Sequence, residues 1–145
     1  MRHKLSIVLL MLVFNTQSAF AEVIINMDAI KQIESSGNPG AFNKQSKCRG
    51  WYQVSEVCLK DFNQVHGTNY NYKRADLYDP QINSRIAHWM MDERIPQLLR
   101  HFKLKDTLEH RLLCYNAGIK AVKDGRMPSE SKQYIIKYKN LVKAY

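Results

Sequence analysis

From residue 22 onward, apolar residues recur at intervals of three and four, and stretches that alternate apolar with polar residues are nearly absent. A chain patterned this way has apolar stripes for successive helices and no sheet face to bury. The expected fold is mainly α. The clearest helix opens at Asp79-Pro80, with Asp as cap and Pro in the first turn, and places Ile82, Ile86, Trp89 and Met90 on one face. Trp89 is assigned to the core. Pro96 should kink or interrupt this helix before Leu98, Leu99 and Phe102 resume an apolar face.

Other stripes bracket that helix. Val23, Met27, Ile30 and Ile33 form the first, capped by Asn26 and stopped by Ser35-Ser36-Gly37-Asn38-Pro39-Gly40. A polar loop follows, with room for a short hairpin near Gly50. Val54, Val57, Cys58 and Phe62 then mark a helix beginning near Ser55, and residues 67–74 read as loop. Asp106 and Glu109 have capping-box spacing before Leu108, Leu112 and Tyr115, and Gly118 is a good helix stop. The last stripe is Tyr134, Tyr138, Leu141, Val142 and Tyr145. With no internal repeat or linker, these helices should form one domain.

The start of the chain has a different character. Arg2, His3 and Lys4 precede an apolar run from Leu5 to Phe14, and Ala19 and Ala21 make an A-x-A site. The run falls short of the ~20 residues that span a membrane, and no lipidation cysteine follows. Residues 1–21 are therefore expected to be a signal peptide cleaved after Ala21, leaving 145 − 21 = 124 residues as one domain without a stable membrane anchor. Of 22 Lys and Arg, Arg2 and Lys4 would leave, so 20 basic residues face 13 acidic ones, a net +7. Such a charge draws polyanions, and export makes the acidic bacterial wall the expected one. No nucleic-acid-binding motif is recognised, and nucleic acid is not an expected partner.

Cys48, Cys58 and Cys114 remain after that cleavage. Export permits a disulfide, and Cys48 with Cys58 is preferred because a loop of that length closes readily. Three reduced thiols are the alternative. None of the spacings fits a zinc site, and the five histidines are scattered, so no metal or other cofactor is expected.

Glu34 stands where the first helix meets its glycine-rich stop. Apolar neighbours and the negative end of the helix dipole should both raise its pKa, and a neutral carboxylic acid is what protonates a glycosidic oxygen. Four local motifs follow one another: Gln32-Ile33-Glu34-Ser35-Ser36-Gly37-Asn38-Pro39, Gly50-Trp51-Tyr52-Gln53-Val54, Cys114-Tyr115-Asn116-Ala117-Gly118, and Pro128-Ser129-Glu130-Ser131-Lys132-Gln133-Tyr134-Ile135. In this order they resemble the SLT-type lytic transglycosylases, over roughly Ala29 to Tyr138. The resemblance implies a lysozyme-like domain split by a sugar-binding groove. It implies a lyase that cuts peptidoglycan between N-acetylmuramic acid and N-acetylglucosamine, leaving 1,6-anhydro ends.

Carried over by motif, Glu34 takes the place of the catalytic acid and Gln53 that of a groove-lining Gln. Tyr115 takes that of a Tyr orienting the acid and the acetamido group, with Asn116 in the same segment. Glu130 and Asn43 fall at sugar-contacting positions. Trp51-Tyr52 stands where the family commonly has Leu-Met, Cys114 where it has a small Ala, and Ser131 where Thr is frequent. Small exported members often serve secretion, conjugation or pilus machines, which makes these the expected partners, with a periplasmic or secreted location. Two rivals are a goose-type-like hydrolytic muramidase, drawing a second carboxylate from Asp61, Asp76 or Asp79, and a non-catalytic wall-binding module.

Overall fold

The computed structural model describes residues 22–144. The segment read as a signal peptide and Tyr145 lie outside the described residues. Within them the chain is mainly helical, consistent with a lysozyme-like domain. The helices are α1 (Met27–Ser35), α2 (Glu56–His66), α3 (Pro80–Trp89), α4 (Ile95–His101), α5 (Leu108–Ala117), α6 (Ile119–Lys123) and α7 (Ser129–Lys143). A 3-10 segment, Arg74–Tyr78, leads into α3.

The caps follow from the residue types. Asn26 accepts from the Ala29 N–H, Ser55 from the Cys58 N–H, and Asp79 from the N–H groups of Gln81 and Ile82. Each satisfies donors that the first helical turn leaves unpaired. The fifth helix departs from expectation by one residue: Thr107, not Asp106, caps α5 by accepting from His110 N–H at 3.1 Å. Asp106 is engaged elsewhere, gripping Arg111 at 2.6 and 2.8 Å. Arg111 is 8% exposed, and a guanidinium so buried requires a carboxylate partner. Glu109 does not close a capping box either; it pairs with Lys139 on α7 at 2.6 Å.

Pro96 also acts differently from the simple break. The helix runs on, and the disturbance appears upstream as a π-helical turn over Met90–Arg94, closed by Ile95 N–H to Met90 O. A proline ring crowds the carbonyl four residues earlier and offers no N–H, and a widened turn accommodates both defects.

The core gathers Ile30 from α1, Phe62 from α2, Leu77, Ile86, Met91, Leu99 and Leu112, each at most 2% exposed. Every such side chain contributes ~1.5–3 kcal/mol of burial. Trp89, at 6% exposure, meets Phe62 edge-on with centroids 5.2 Å apart. α5 packs against α4, α6 and α7, α1 packs on α7, and α2 on α3. Val57 and Val142 leave the expected stripes, at 77% and 39% exposure.

The hairpin region holds two isolated bridges, Phe42 with Arg49 and Arg49 with Val54, and no strand. Side-chain chemistry organises it. Asn83 on α3, wholly buried, accepts from Tyr52 N–H at 2.9 Å and donates to Arg49 O at 2.9 Å and Leu77 O at 2.8 Å. Gly50 sits against this amide with φ +79°, where a Cβ would lie 2.3 Å from Asn83 Nδ2. Only glycine fits there.

Candidate active site

α1 ends as its sequence dictates. Ser36 adopts φ +53° and Gly37 φ +74°, Ser36 N–H bonds to Gln32 O, and the chain turns away just beyond Glu34. Ser35 Oγ donates to Trp51 O at 2.8 Å and Trp51 Nε1 donates to Gly37 O at 3.0 Å, tying the helix end to the Gly50–Val54 turn.

Glu34, Asn43, Gln53, Tyr115, Asn116 and Glu130 line one cavity of about 460 Å³. Residues drawn from α1, two loops, α5 and α7 are thus brought to one place. A second cavity of about 660 Å³ continues from it, sharing Cys48, Gln53, Tyr115 and Asn116 and extending along Val57, Asp61 and Arg94. The two make a groove with Glu34 towards one end.

Burial drives the Glu34 carboxyl up to about 7, against a hydrogen bond from Tyr134 that pulls the other way. The Tyr134 hydroxyl donates to Glu34 Oε1 at 2.8 Å. Sequence reasoning passed over Tyr134 as a site residue and placed it on the apolar stripe of α7, which it also serves, being 6% exposed. Its position at the end of the fourth motif was the available signal. The Tyr115 hydroxyl, in the same cavity, donates to Tyr52 O at 2.8 Å. Desolvation holds the phenol far above its ordinary pKa, and the Glu34 charge adds to the effect. Tyr115 is therefore a neutral wall of the cavity.

The remaining candidates are partly committed to the protein itself. Gln53, held at φ +47°, donates through Nε2 to Gly50 O at 3.0 Å and Ala41 O at 3.3 Å, so the group it presents to a ligand is Oε1. Asn116 Oδ1 accepts from Ser131 Oγ at 2.7 Å, which leaves its amide nitrogen for a ligand. Ser131 thus keeps the hydroxyl that the commoner Thr would supply. Asn43 Oδ1 accepts from the N–H groups of Gln45 and Ser46 at 2.9 and 3.0 Å, shaping the loop that forms one wall. Glu130 is exposed in the first turn of α7.

The carboxylates considered for activating water are all engaged. Asp61 lines the groove but accepts both arms of Arg94 at 2.7 and 2.9 Å. Asp76 accepts from Lys73 N–H at 2.7 Å, and Asp79 caps α3. Among the described residues no group of three or more His, Cys, Asp or Glu is placed to hold a metal ion, and no helix is long and apolar enough to cross a membrane.

The Transglycosylase SLT domain family matches residues 9–137, and the chain belongs to it. The match begins inside the segment read as an export signal. Members of the family are lytic transglycosylases, lyases acting on peptidoglycan, and that is the class of enzyme this protein is. Neither a curated protein nor a solved structure matches the chain.

Proposed function

We propose that the protein cleaves the β-1,4 bond between N-acetylmuramic acid and N-acetylglucosamine and leaves 1,6-anhydromuramic ends, with Glu34 as the single acid and base. The observation that carries this reading is a half-buried carboxyl lining the groove, held by the Tyr134 hydroxyl at 2.8 Å and pushed by desolvation up to about 7. Protonated Glu34 donates to the glycosidic oxygen as the bond to C1 breaks and positive charge builds on the ring. The resulting carboxylate then takes the proton of the muramic 6-hydroxyl while O6 closes on C1. One group serves both steps, and no water enters.

Gln53 Oε1, the Asn116 amide and the neutral Tyr115 ring supply polar and stacking contacts for acetamido sugars, with Asn43 and Glu130 at the rim. With Asp61, Asp76 and Asp79 engaged, the carboxylate left in the Glu34 cavity is Glu130, exposed at its rim; hydrolysis through it, as in an inverting enzyme, is the alternative that the products distinguish. In this reading residues 1–21 direct export and are removed after Ala21, and residues 22–145 work as one domain, in the periplasm or released. Local opening of the wall for a secretion, conjugation or pilus apparatus is the proposed role, supported by small size and basic charge.

The test is mass spectrometry of muropeptides released from purified peptidoglycan. The expected products carry 1,6-anhydromuramic ends and vanish with Glu34→Gln. Reducing ends would instead establish a hydrolase, and binding without products from folded protein would establish a wall-binding module.

A further inference from the structure

Three thiols converge on the groove. Cys48, Cys58 and Cys114 all line the cavity of about 660 Å³ that runs on from Glu34, and all three are free. The backbone sets two of them side by side. Arg49 and Val54 exchange hydrogen bonds of 3.1 and 2.9 Å, so Cys48 stands across from Ser55. Ser55 Oγ in turn accepts from Cys58 N–H at 3.1 Å, which brings Cys58 round the first turn of α2 onto the face that Ser55 begins. Cys114, 7% exposed, approaches from α5.

Residues 43–49 carry Cys48 together with Asn43, Gln45 and Ser46, which wall the Glu34 cavity. The backbone bonds Asn43 N–H to Cys48 O and Lys47 N–H to Asn43 O are internal to this segment, and Gly50 N–H to Ala41 O closes its base. Lys47 holds a left-handed φ of +61°, a conformation that costs roughly 1–2 kcal/mol for a side-chain-bearing residue. The segment thus keeps its own shape while its seating over the groove rests on its base.

We propose that Cys48 and Cys58 form a reversible disulfide that pins the 43–49 wall to α2 and so positions the groove for a glycan strand. The proposal rests on the reading of the groove as the glycan site. The oxidant is a small-molecule disulfide such as oxidised glutathione. Cys48, as thiolate, attacks one glutathione sulfur and expels one glutathione thiolate, which takes up the proton that Cys48 lost. Cys58 sulfur then attacks the Cys48 sulfur of the mixed disulfide, and the second glutathione leaves with the Cys58 proton. Two protein thiols are oxidised to one disulfide, and one glutathione disulfide is reduced to two thiols. Burial pushes the Cys58 thiol up to about 12 and Cys114 to about 11, so both stay protonated near neutrality. Cys48, on the loop wall and lining both cavities, meets the oxidant and opens the exchange, and Cys58 completes it within the molecule.

The experiment equilibrates the whole protein across a series of reduced-to-oxidised glutathione ratios, quenches it in acid, alkylates it and maps the peptides by mass spectrometry. Turnover of soluble glycan strands is measured on the same samples. The expected result is a Cys48–Cys58 cross-link with Cys114 alkylated only after denaturation. Reduction should raise KM severalfold with kcat unchanged. Cys48→Ser, and separately Cys58→Ala, should fix KM at the reduced value whatever the ratio. Alkylation of both Cys48 and Cys58 at every ratio, or a bridge that includes Cys114, overturns the assignment. A bridge that forms without moving KM overturns its positioning role. Absence of products at every ratio would count against the Glu34 reading, while the peptide map would still decide the bridge.

Discussion

The Tyr134 hydroxyl sits 2.8 Å from Glu34 Oε1 and donates to it, joining residues 100 positions apart. This bond stabilises the carboxylate and so works against the burial that raises its pKa. Tyr134→Phe removes the opposing effect. The alkaline limb of the kcat/KM profile should move up by ~0.5–1 pH unit, and the rate at the optimum should fall roughly tenfold as the carboxyl loses its fixed orientation. A pH–rate profile of the variant checks both.

For the unaltered protein, kcat/KM should be flat on the acid side of the Glu34 titration and fall as the pH rises through about 7. Stability should follow the same group with a definite sign. The native state raises this carboxyl from its ordinary 4.5 to about 7, so it favours the protonated form. Stability is then complete below about pH 4.5 and declines as the pH climbs towards about 7. Glu34→Gln lacks the charge. It should unfold at a higher temperature than wild type at pH 8, by on the order of 1 kcal/mol, and match it at pH 4. Thermal melts at the two pH values decide the matter.

Gly50 and Asn83 make a structural test independent of chemistry. Gly50→Ala places a methyl 2.3 Å from Asn83 Nδ2 and 2.4 Å from Leu77 O at a positive φ. Asn83→Leu removes a hydrogen bond from each of three backbone groups, Tyr52 N–H, Leu77 O and Arg49 O, of which Arg49 O keeps Val54 N–H. Each should destabilise by about 2–4 kcal/mol, read from denaturant midpoints.

Asp61→Asn separates the two cleavage routes. An Asp61 that activated water would make the variant lose roughly 10²–10⁴ in rate. Because Asp61 is bound to Arg94 instead, turnover should stay within about tenfold, the allowance for a weakened ion pair at the groove wall. The ratio of anhydro to reducing ends should not move. Muropeptide analysis of the variant beside wild type gives the answer.

The helices were legible wherever one stripe met a strong local stop, as in α1 between Asn26 and Gly37, or α3 after Asp79-Pro80. What escaped was set by partners distant in sequence. Asp106 looked like a cap until Arg111 claimed it, and the π-helical turn before Pro96 depends on a helix that continues rather than ends. Asn83 reads as one polar residue on an apolar helix, yet it holds together the turn that carries Gln53. At the site, motif order named the residues of one cavity, while local sequence could not say which tyrosine hydroxyl reaches Glu34. Tyr115 and Tyr134 differ in that respect only through how α5 and α7 pack.

Asn26 N–H reaches the hydroxyl of Tyr138 at 2.8 Å, and α1 lies along α7. The acid is therefore borne near one end of the described chain and sheltered by the other. Without α7 the Glu34 carboxyl would lose the Tyr134 hydroxyl that holds it. The pocket around Glu34 is thus complete only once α7 has docked on α1.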